Sequence, residues 1–444
     1  MKRNSLIYGG IKKKMTKEQP AWYESTTVKD MMALMGGKAL RGVMANYFSS
    51  RIYKGKVGLF QVSNYLKAMF DKEDRRALII TDSFTQKYAK KVTVYLDQIE
   101  MEYKIWSGAE PEVPLPTIDI GAQICEEFKP QVIIALGGGS VMDTAKMVMI
   151  KYEHPNMNIF NILPYFGSLG LRRKFRFFIA IPTTSGTGSE VSSAAVLTDM
   201  DRDPPKKLEV MSDEFPADIT ILDTDFVKDM PPLLTAGTGL DALSHAMGSY
   251  VSNWGSPYID SVNFTAIKEI VKYLPRAYKY GAKDIEARDH MHMASLMAGI
   301  GFGNTIPGID HALGHSAGKI FGIHHGIAVG LYLPYSIEFQ AKVTDRWQDL
   351  CPIFNISVED KPREELFKEF MDKLKKFIRS IDAPTSIRDL RKPDITKVDY
   401  MSKLDLLVNY AEDDAVSLTS YRALNSDIYK KIFEYAWEGK VIDF

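Results

Sequence analysis

The sequence predicts an α/β N-terminal domain built on a parallel sheet, followed by an all-α C-terminal domain. Three observations carry that expectation. Short apolar runs alternate with amphipathic stretches from about residue 55 to 225, the runs vanish beyond that point, and two of them open directly into turns of small residues. Residues 1–50 mix Lys, Gly, Met and aromatics with no period and are read as an extension of uncertain structure. The expected division is therefore 1–50, 51–225 and 226–444.

Strands are expected at ALIIT (77–81), VIIALG (132–137), FFIAIP (177–182) and ITILD (219–223). These runs are apolar throughout rather than alternating, as in strands covered on both faces. FTQKYAKKVTVYLDQIEM (84–101) and PTIDIGAQICEEF (116–128) lie between them and carry helical spacing. Strands joined by helical crossovers pair in parallel, which gives a Rossmann-like sheet. After 225, PPLLTAGTGLDALSHAMGSYV (231–251), PYIDSVNFTAIKEIVKYLPRAY (257–278) and KDIEARDHMHMASLMAGIGF (283–302) repeat apolar residues at three- and four-residue spacing, and no strand run remains.

Composition narrows the function class. Hydrophobic residues make up 45% and charged residues 25%, ordinary globular values. The 56 basic and 56 acidic residues cancel, which gives no electrostatic case for nucleic acid or a membrane surface. No apolar run approaches the ~18 residues of a spanning helix. The basic start MKRNSLIYGGIKKKM lacks the apolar stretch of a secretory signal. Cys125 and Cys351 are too few for a disulfide framework and fit a reducing compartment. A cytoplasmic location is expected.

VIIALGGGSVMDTAK (132–146) reads as a buried strand, a glycine turn and a helix. Gly137, Gly138 and Gly139 let the backbone approach a ligand, and the helix after Ser140 aims free N–H groups at an anion. The bland alternative is a tight turn with a plain S-x-x-D cap from Ser140 to Asp143. IPTTSGTGSEV (181–191) also follows a strand and concentrates Thr, Ser and Gly from Thr183 to Gly188, which suits a nucleotide; its alternative is a surface turn. Two such loops at strand ends are expected where a parallel sheet binds a dinucleotide. Asp82 ends ALIIT, where a carboxylate can bond an adenosine ribose and repel a 2′-phosphate, favouring NAD over NADP; otherwise it is an N-cap.

Four of the eight histidines fall in DHALGHSAGKIFGIHHG (310–326). In GLDALSHAM (239–247), Asp241 and His245 stand four apart, one turn of one helix face. His311 and His315 repeat that spacing, and His325 opens the next helical pattern. One carboxylate with two or three imidazoles forms an N/O set for Fe²⁺ or Zn²⁺ with a position left for substrate. Isolated histidines are more often core or capping residues, and His154, His290 and His292 are read that way. His324 is set beside the site rather than in it, and Asp310 faces elsewhere on its helix.

GGGSVMDTAK, IPTTSGTGSEV, GLDALSHA and DHALGHSAGKIFGIHHG, in that order, resemble the iron-containing (group III) alcohol dehydrogenases and the alcohol dehydrogenase half of bifunctional aldehyde–alcohol dehydrogenases. The likeness covers roughly residues 75–345. It implies that Asp241, His245, His311 and His325 bind the metal and that His315 lies near the substrate without ligating. It implies that Gly138, Gly139, Ser140, Asp143, Thr183 and Thr184 line the cofactor, with Asp82 at the ribose and Lys207 nearby. It further implies an active site in the cleft between the two domains and a dimer or larger homo-oligomer. This chain has His324 where the family usually has Pro, Gly248 where it often has Glu, and Tyr335 where His is common. These changes lie close in sequence to the ligand segments and leave the substrate open.

The expected chemistry is reversible hydride transfer between a primary alcohol and NAD, with a small-molecule substrate. A cyclase or lyase of the dehydroquinate synthase type, or a hydroxy-acid dehydrogenase, are the enzyme alternatives. The first binds a polyanionic sugar and needs a crowd of Arg and Lys, whereas 239–260 and 301–330 offer only Lys319. A metal-binding scaffold without activity is the third reading, and intact cofactor loops argue against it.

Overall fold

The computed structural model describes residues 50–159 and 168–444, apart from Arg202 and Pro204. The expected extension therefore lies almost wholly outside the described residues. Eight strands and thirteen α-helices follow. The sheet half contains β1 (Arg51–Lys54), α1 (Gly58–Met69), β2 (Arg76–Ile80), α2 (Ala89–Gln98), β3 (Glu102–Trp106), α3 (Leu115–Phe128), β4 (Val132–Gly137), α4 (Gly139–Glu153), β5 (Phe177–Pro182), β6 (Ala194–Asp199), β7 (Lys206–Met211) and β8 (Ile219–Leu222). Six of the strands form one parallel sheet in the order β1-β8-β5-β4-β2-β3.

Alternate residues of the central strands feed two cores. Leu78, Ile80, Ile133, Ala135, Phe178 and Ala180 pack to one face. Ala77, Ile79, Ile134, Leu136, Ile179 and Ile181 pack to the other. Both faces are covered, which is why these strands read as unbroken apolar runs. The edge strands β1 and β3 (RIYK and EYKIW) are largely exposed and carry no such run. The stretch expected as one helix over 84–101 is helical only from Ala89 to Gln98. Glu100, at φ 51°, breaks it and the chain turns into β3.

β6 and β7 form a separate antiparallel hairpin. Their burial alternates rather than saturating, so they carry no strand signal of the kind seen in the main sheet.

The helical half begins with α5 (Pro232–Tyr250), α6 (Pro257–Tyr280), α7 (Ile285–Gly303), α8 (Ile309–Phe321) and α9 (His325–Gln340). It continues through α10 (Arg363–Arg379), α11 (Lys397–Ser402), α12 (Leu404–Glu412) and α13 (Ser426–Glu438). Every residue of α5 from Thr235 to Tyr250 is buried, so this helix is the axis of the helical core. No helix among the described residues is long and apolar enough to cross a membrane.

The two halves meet where the loop after β5 lies on α5 and α7. A Cβ on Gly186 would stand 2.5 Å from Thr238 Cβ, and one on Gly188 (φ +57°) 2.4 Å from Gly299 Cα. Ser193 Oγ donates to Gly303 O at 2.9 Å across the same seam. Gly186 and Gly188 are therefore demanded by this contact, whatever else the loop does.

Candidate active site

Strand order places the nucleotide-type loops together. The chain steps outward from β2 to β3, then returns to lay β4 beside β2, so the direction of winding reverses between those neighbours. Open parallel sheets bind ligands at the carboxyl ends of strands at such a switch. Asp82 lies just beyond β2 and Gly138 just beyond β4. The β5 loop adjoins them, with Gly137 opposite Pro182 and Thr183 N donating to Gly137 O at 2.9 Å.

Gly138, in extended backbone, is the N-cap of α4, and no side chain caps that end. The alternative S-x-x-D cap is thus not formed. Asp143 instead accepts from Ser189 Oγ (2.7 Å) and Val196 N (3.1 Å), tying α4 to the β5 loop and the hairpin. Burial raises its pKa, opposed by Lys146. Ser140 Oγ accepts from Glu112 N at 3.4 Å. Cβ atoms on Gly138 and Gly139 would meet Thr184 Cγ2 at 3.2 Å and Thr187 Cγ2 at 2.7 Å, so the two loops interlock. Thr183 is buried and Thr184 half-buried between them. Asp82 Oδ1 accepts from Phe84 N and Thr85 N, both at 2.7 Å, and closes a turn; the helical segments that follow have Thr85 and Tyr88 at their N-caps, so Asp82 is not the N-cap of a helix.

α5, α8 and α9 bring the four expected metal residues to one point. Three imidazole Nε2 atoms face the single oxygen Oδ1 of Asp241: His325 at 3.2 Å, His311 at 3.5 Å and His245 at 3.8 Å. Donors bound at 2.0–2.1 Å around a tetrahedral ion stand about 3.3 Å apart, whereas hydrogen-bonded N and O stand at about 2.9 Å. The observed spacings match the first. Asp241 Oδ1 and His311 Nε2 are buried and make no hydrogen bond among the described residues. A pair of orphaned, facing donors fits a cation.

Electrostatics agree. Burial disfavours charge on Asp241, yet His245 and His325 beside it hold its carboxyl well below the usual range. Burial pushes His245 down to about 3, leaving it a neutral imidazole, the form that ligates. Burial lowers His325 as well, with the Lys207 charge adding to it. His311 is the exception: burial opposes its charge, but the Asp241 and Asp310 carboxylates raise it to about 9. Phe302 stacks on His245 with centroids 4.0 Å apart, and His245 stacks on His311 at 4.4 Å, closing one side to water.

His315 stands outside this set. Its Nδ1 lies 2.8 Å from Asp414 Oδ2 and 3.3 Å from Glu209 Oε1, and its ring stacks on His325 at 5.1 Å. Sequence reading missed both carboxylates. Asp414 is remote in sequence and carries no signal, and Glu209, two residues beyond Lys207, lies on β7, a strand the sequence does not mark. Lys207 is half-buried; burial lowers its pKa, opposed by Glu112 and Asp241. Its charge is felt by Asp143, His315 and His325, so it lies toward the buried cluster rather than in open solvent. Lys319 pairs with Glu112.

The histidines read as ordinary take ordinary places. His154 contacts Leu169 O, and His290 pairs with Glu269 Oε2 at 2.5 Å. His292 meets Ser185 Oγ at 3.2 Å, on the seam. His324 is the N-cap of α9, its ring 2.7 Å from where a Cβ on Gly237 would be.

Comparison with known proteins adds the following. The profile of the iron-containing alcohol dehydrogenases matches residues 49–224, and that of the C-terminal part of the same family matches 235–437. The chain is 35% identical to an NADPH-dependent butanol dehydrogenase of Clostridium saccharobutylicum over 88% of its own length and 98% of the relative's. It is 34% identical to the bifunctional aldehyde-alcohol dehydrogenase of Escherichia coli K12, over 77% of its own length and 40% of that larger protein. The solved iron-containing alcohol dehydrogenase of Thermococcus thioreducens superposes with a TM-score of 0.77 at 27% identity, over 89% of this chain and all of the other.

Proposed function

With membership of the iron-containing alcohol dehydrogenase family, to which this chain belongs, as the premise, we propose that it interconverts a primary alcohol and its aldehyde at the cluster on α5, α8 and α9. The observation that carries this reading is the convergence of three Nε2 atoms on Asp241 Oδ1. When bound, a divalent Fe or Zn ion supplies Lewis acidity and a nicotinamide supplies the hydride acceptor.

The chain's own groups do the rest. Asp241, His245, His311 and His325 would hold the ion. The uncapped start of α4, with Gly138, Gly139 and Ser140, receives a pyrophosphate, and Thr183 and Thr184 flank it. Asp143 and Lys207 brace and face that pocket. Phe302 excludes water behind His245. His315, its Nδ1 held by Asp414, keeps Nε2 for taking a proton from the alcohol or returning it to the aldehyde.

Asp82 supports NAD, since a carboxylate at the ribose end repels a 2′-phosphate; the NADPH-dependent butanol dehydrogenase favours the opposite choice. Lys319, the basic residue a polyanionic sugar would need, is already paired with Glu112, which speaks against the dehydroquinate synthase type. A cytoplasmic homo-oligomer completes the proposal.

The test is direct. The protein is loaded with Fe²⁺ or Zn²⁺ and screened for nicotinamide reduction and oxidation across alcohol and aldehyde chain lengths, with NAD and NADP in parallel. Metal-dependent turnover is expected, with NAD the better cofactor. No turnover with any alcohol or aldehyde under either metal rejects the activity, and a preference for NADP rejects the role given to Asp82.

A further inference from the structure

We infer that Asp310 is the positioning residue of the metal site: its carboxylate fixes His311 with the proton on Nδ1, leaves Nε2 to ligate, and adds a second buried negative charge beside the ion. The inference deepens the proposed metal site and does not depend on which alcohol is turned over.

Asp310 lies in the first turn of α8 and has no exposed surface. Its Oδ2 stands 2.8 Å from His311 Nδ1, while His311 Nε2 faces Asp241 Oδ1. Adjacent residues on a helix point about 100° apart, so such a pair needs room made for it. Two glycines make it. A Cβ on Gly248 would stand 2.5 Å from Gly308 N, and one on Gly308 would stand 2.4 Å from Asp310 Oδ1. α5 and α8 thus touch through bare backbone, and the carboxylate occupies the space that side chains would fill.

The carboxylate is also electrically unfinished. Its other oxygen, Oδ1, is buried without a hydrogen-bond partner among the described residues, and so is Ser336 Oγ, which also lies near Gly308. The ion pair it makes there is with His311. Burying a carboxylate with so little support is unfavourable unless a cation compensates it. With Asp241 facing Nε2 and Asp310 at Nδ1, the single His311 ring joins the two buried carboxyl groups. A carboxylate behind a ligating histidine raises ligand basicity and fixes its tautomer, and its loss weakens metal binding 10–100-fold in general.

The experiment measures Zn²⁺ affinity of the full-length metal-free protein by chelator competition, for wild type and Asp310→Asn. The variant keeps the side-chain shape and removes the charge. Affinity about 10–100-fold weaker is expected, with nucleotide binding and the melting temperature of the metal-free protein unchanged. Unchanged affinity overturns the inference, as does a loss that merely tracks a loss of folding. If Asp310→Asn does not fold, wild type decides. Histidine ¹⁵N spectra of the Zn²⁺-loaded protein are expected to show the His311 proton on Nδ1 and the metal on Nε2, and the opposite tautomer overturns the inference. Alcohol turnover is read separately and bears on the proposed activity alone.

Discussion

His311 and His315 stand one turn apart on α8, yet their surroundings set them different tasks. His311 faces Asp241 with a bare Nε2, whereas His315 is turned away and gripped by Asp414. His311→Ala is therefore expected to abolish metal binding and turnover together, as read by metal content and nicotinamide absorbance. His315→Ala is expected to keep its metal while kcat falls about 10²–10⁴-fold, the range for loss of a general acid or base. Retention of both properties by both variants would reject the assignment. The ligand set was legible because helical spacing is local, so residues four apart must share a face. The carboxylates around His315 were not, because strand β7 and the segment after α12 are joined to α8 only by the fold. Asp310 was set aside for a local reason, its neighbour's direction on a helix, which a glycine-lined gap overrode.

Among the elements, α4 is the piece on which the proposed nucleotide binding rests. It is anchored from within by Lys146, which is fully buried and donates to Ser189 Oγ (2.9 Å), Ser192 O (3.1 Å) and Ala194 O (2.7 Å). Burial pushes its ammonium down to about 8, with Asp143 and Glu190 opposing. Lys146→Met leaves those acceptors without their donor and Asp143 without the cation 4.0 Å away. It is expected to cost about 3–5 kcal/mol, the range for removing one partner of a buried charged cluster, measured by urea unfolding. A loss below about 1 kcal/mol would show that α4 is held by packing alone. The four central strands were readable from unbroken apolar runs. The hairpin and edge strands were not, because each buries one face or neither and their sequences carry mixed polarity. The seam is tested separately by Gly188→Ala, which must place a Cβ at positive φ and against Gly299. Its expected outcome is unchanged metal content with KM for the nicotinamide raised and kcat lowered, the strain at φ alone costing about 1–2 kcal/mol.

For the whole molecule, an ion held by the proposed ligands would cross-link α5, α8 and α9, so its removal is expected to loosen the helical core as well as stop chemistry. Chelation is expected to lower the melting temperature. Restoring metal at about 100 times its Kd should return about 2.7 kcal/mol of stability. A melting temperature indifferent to chelator would mean that the cluster does not hold metal in the folded protein. Two-part architecture was legible because strand runs stop abruptly near 225. How the parts meet was not, since Gly186, Gly188 and Gly299 look like ordinary loop and helix glycines until they are seen touching.

That contact has a consequence for how the enzyme can be altered. At the seam on α7, Gly188 meets Gly299 main chain to main chain, with the side chains of Val191 and Thr238 close beside them, so the distance between the sheet half and the helical half is fixed there by bare backbone. Side chains away from this seam are free to change without moving the two halves. Gly188 and Gly299 are not, because even one added methyl would wedge the halves apart.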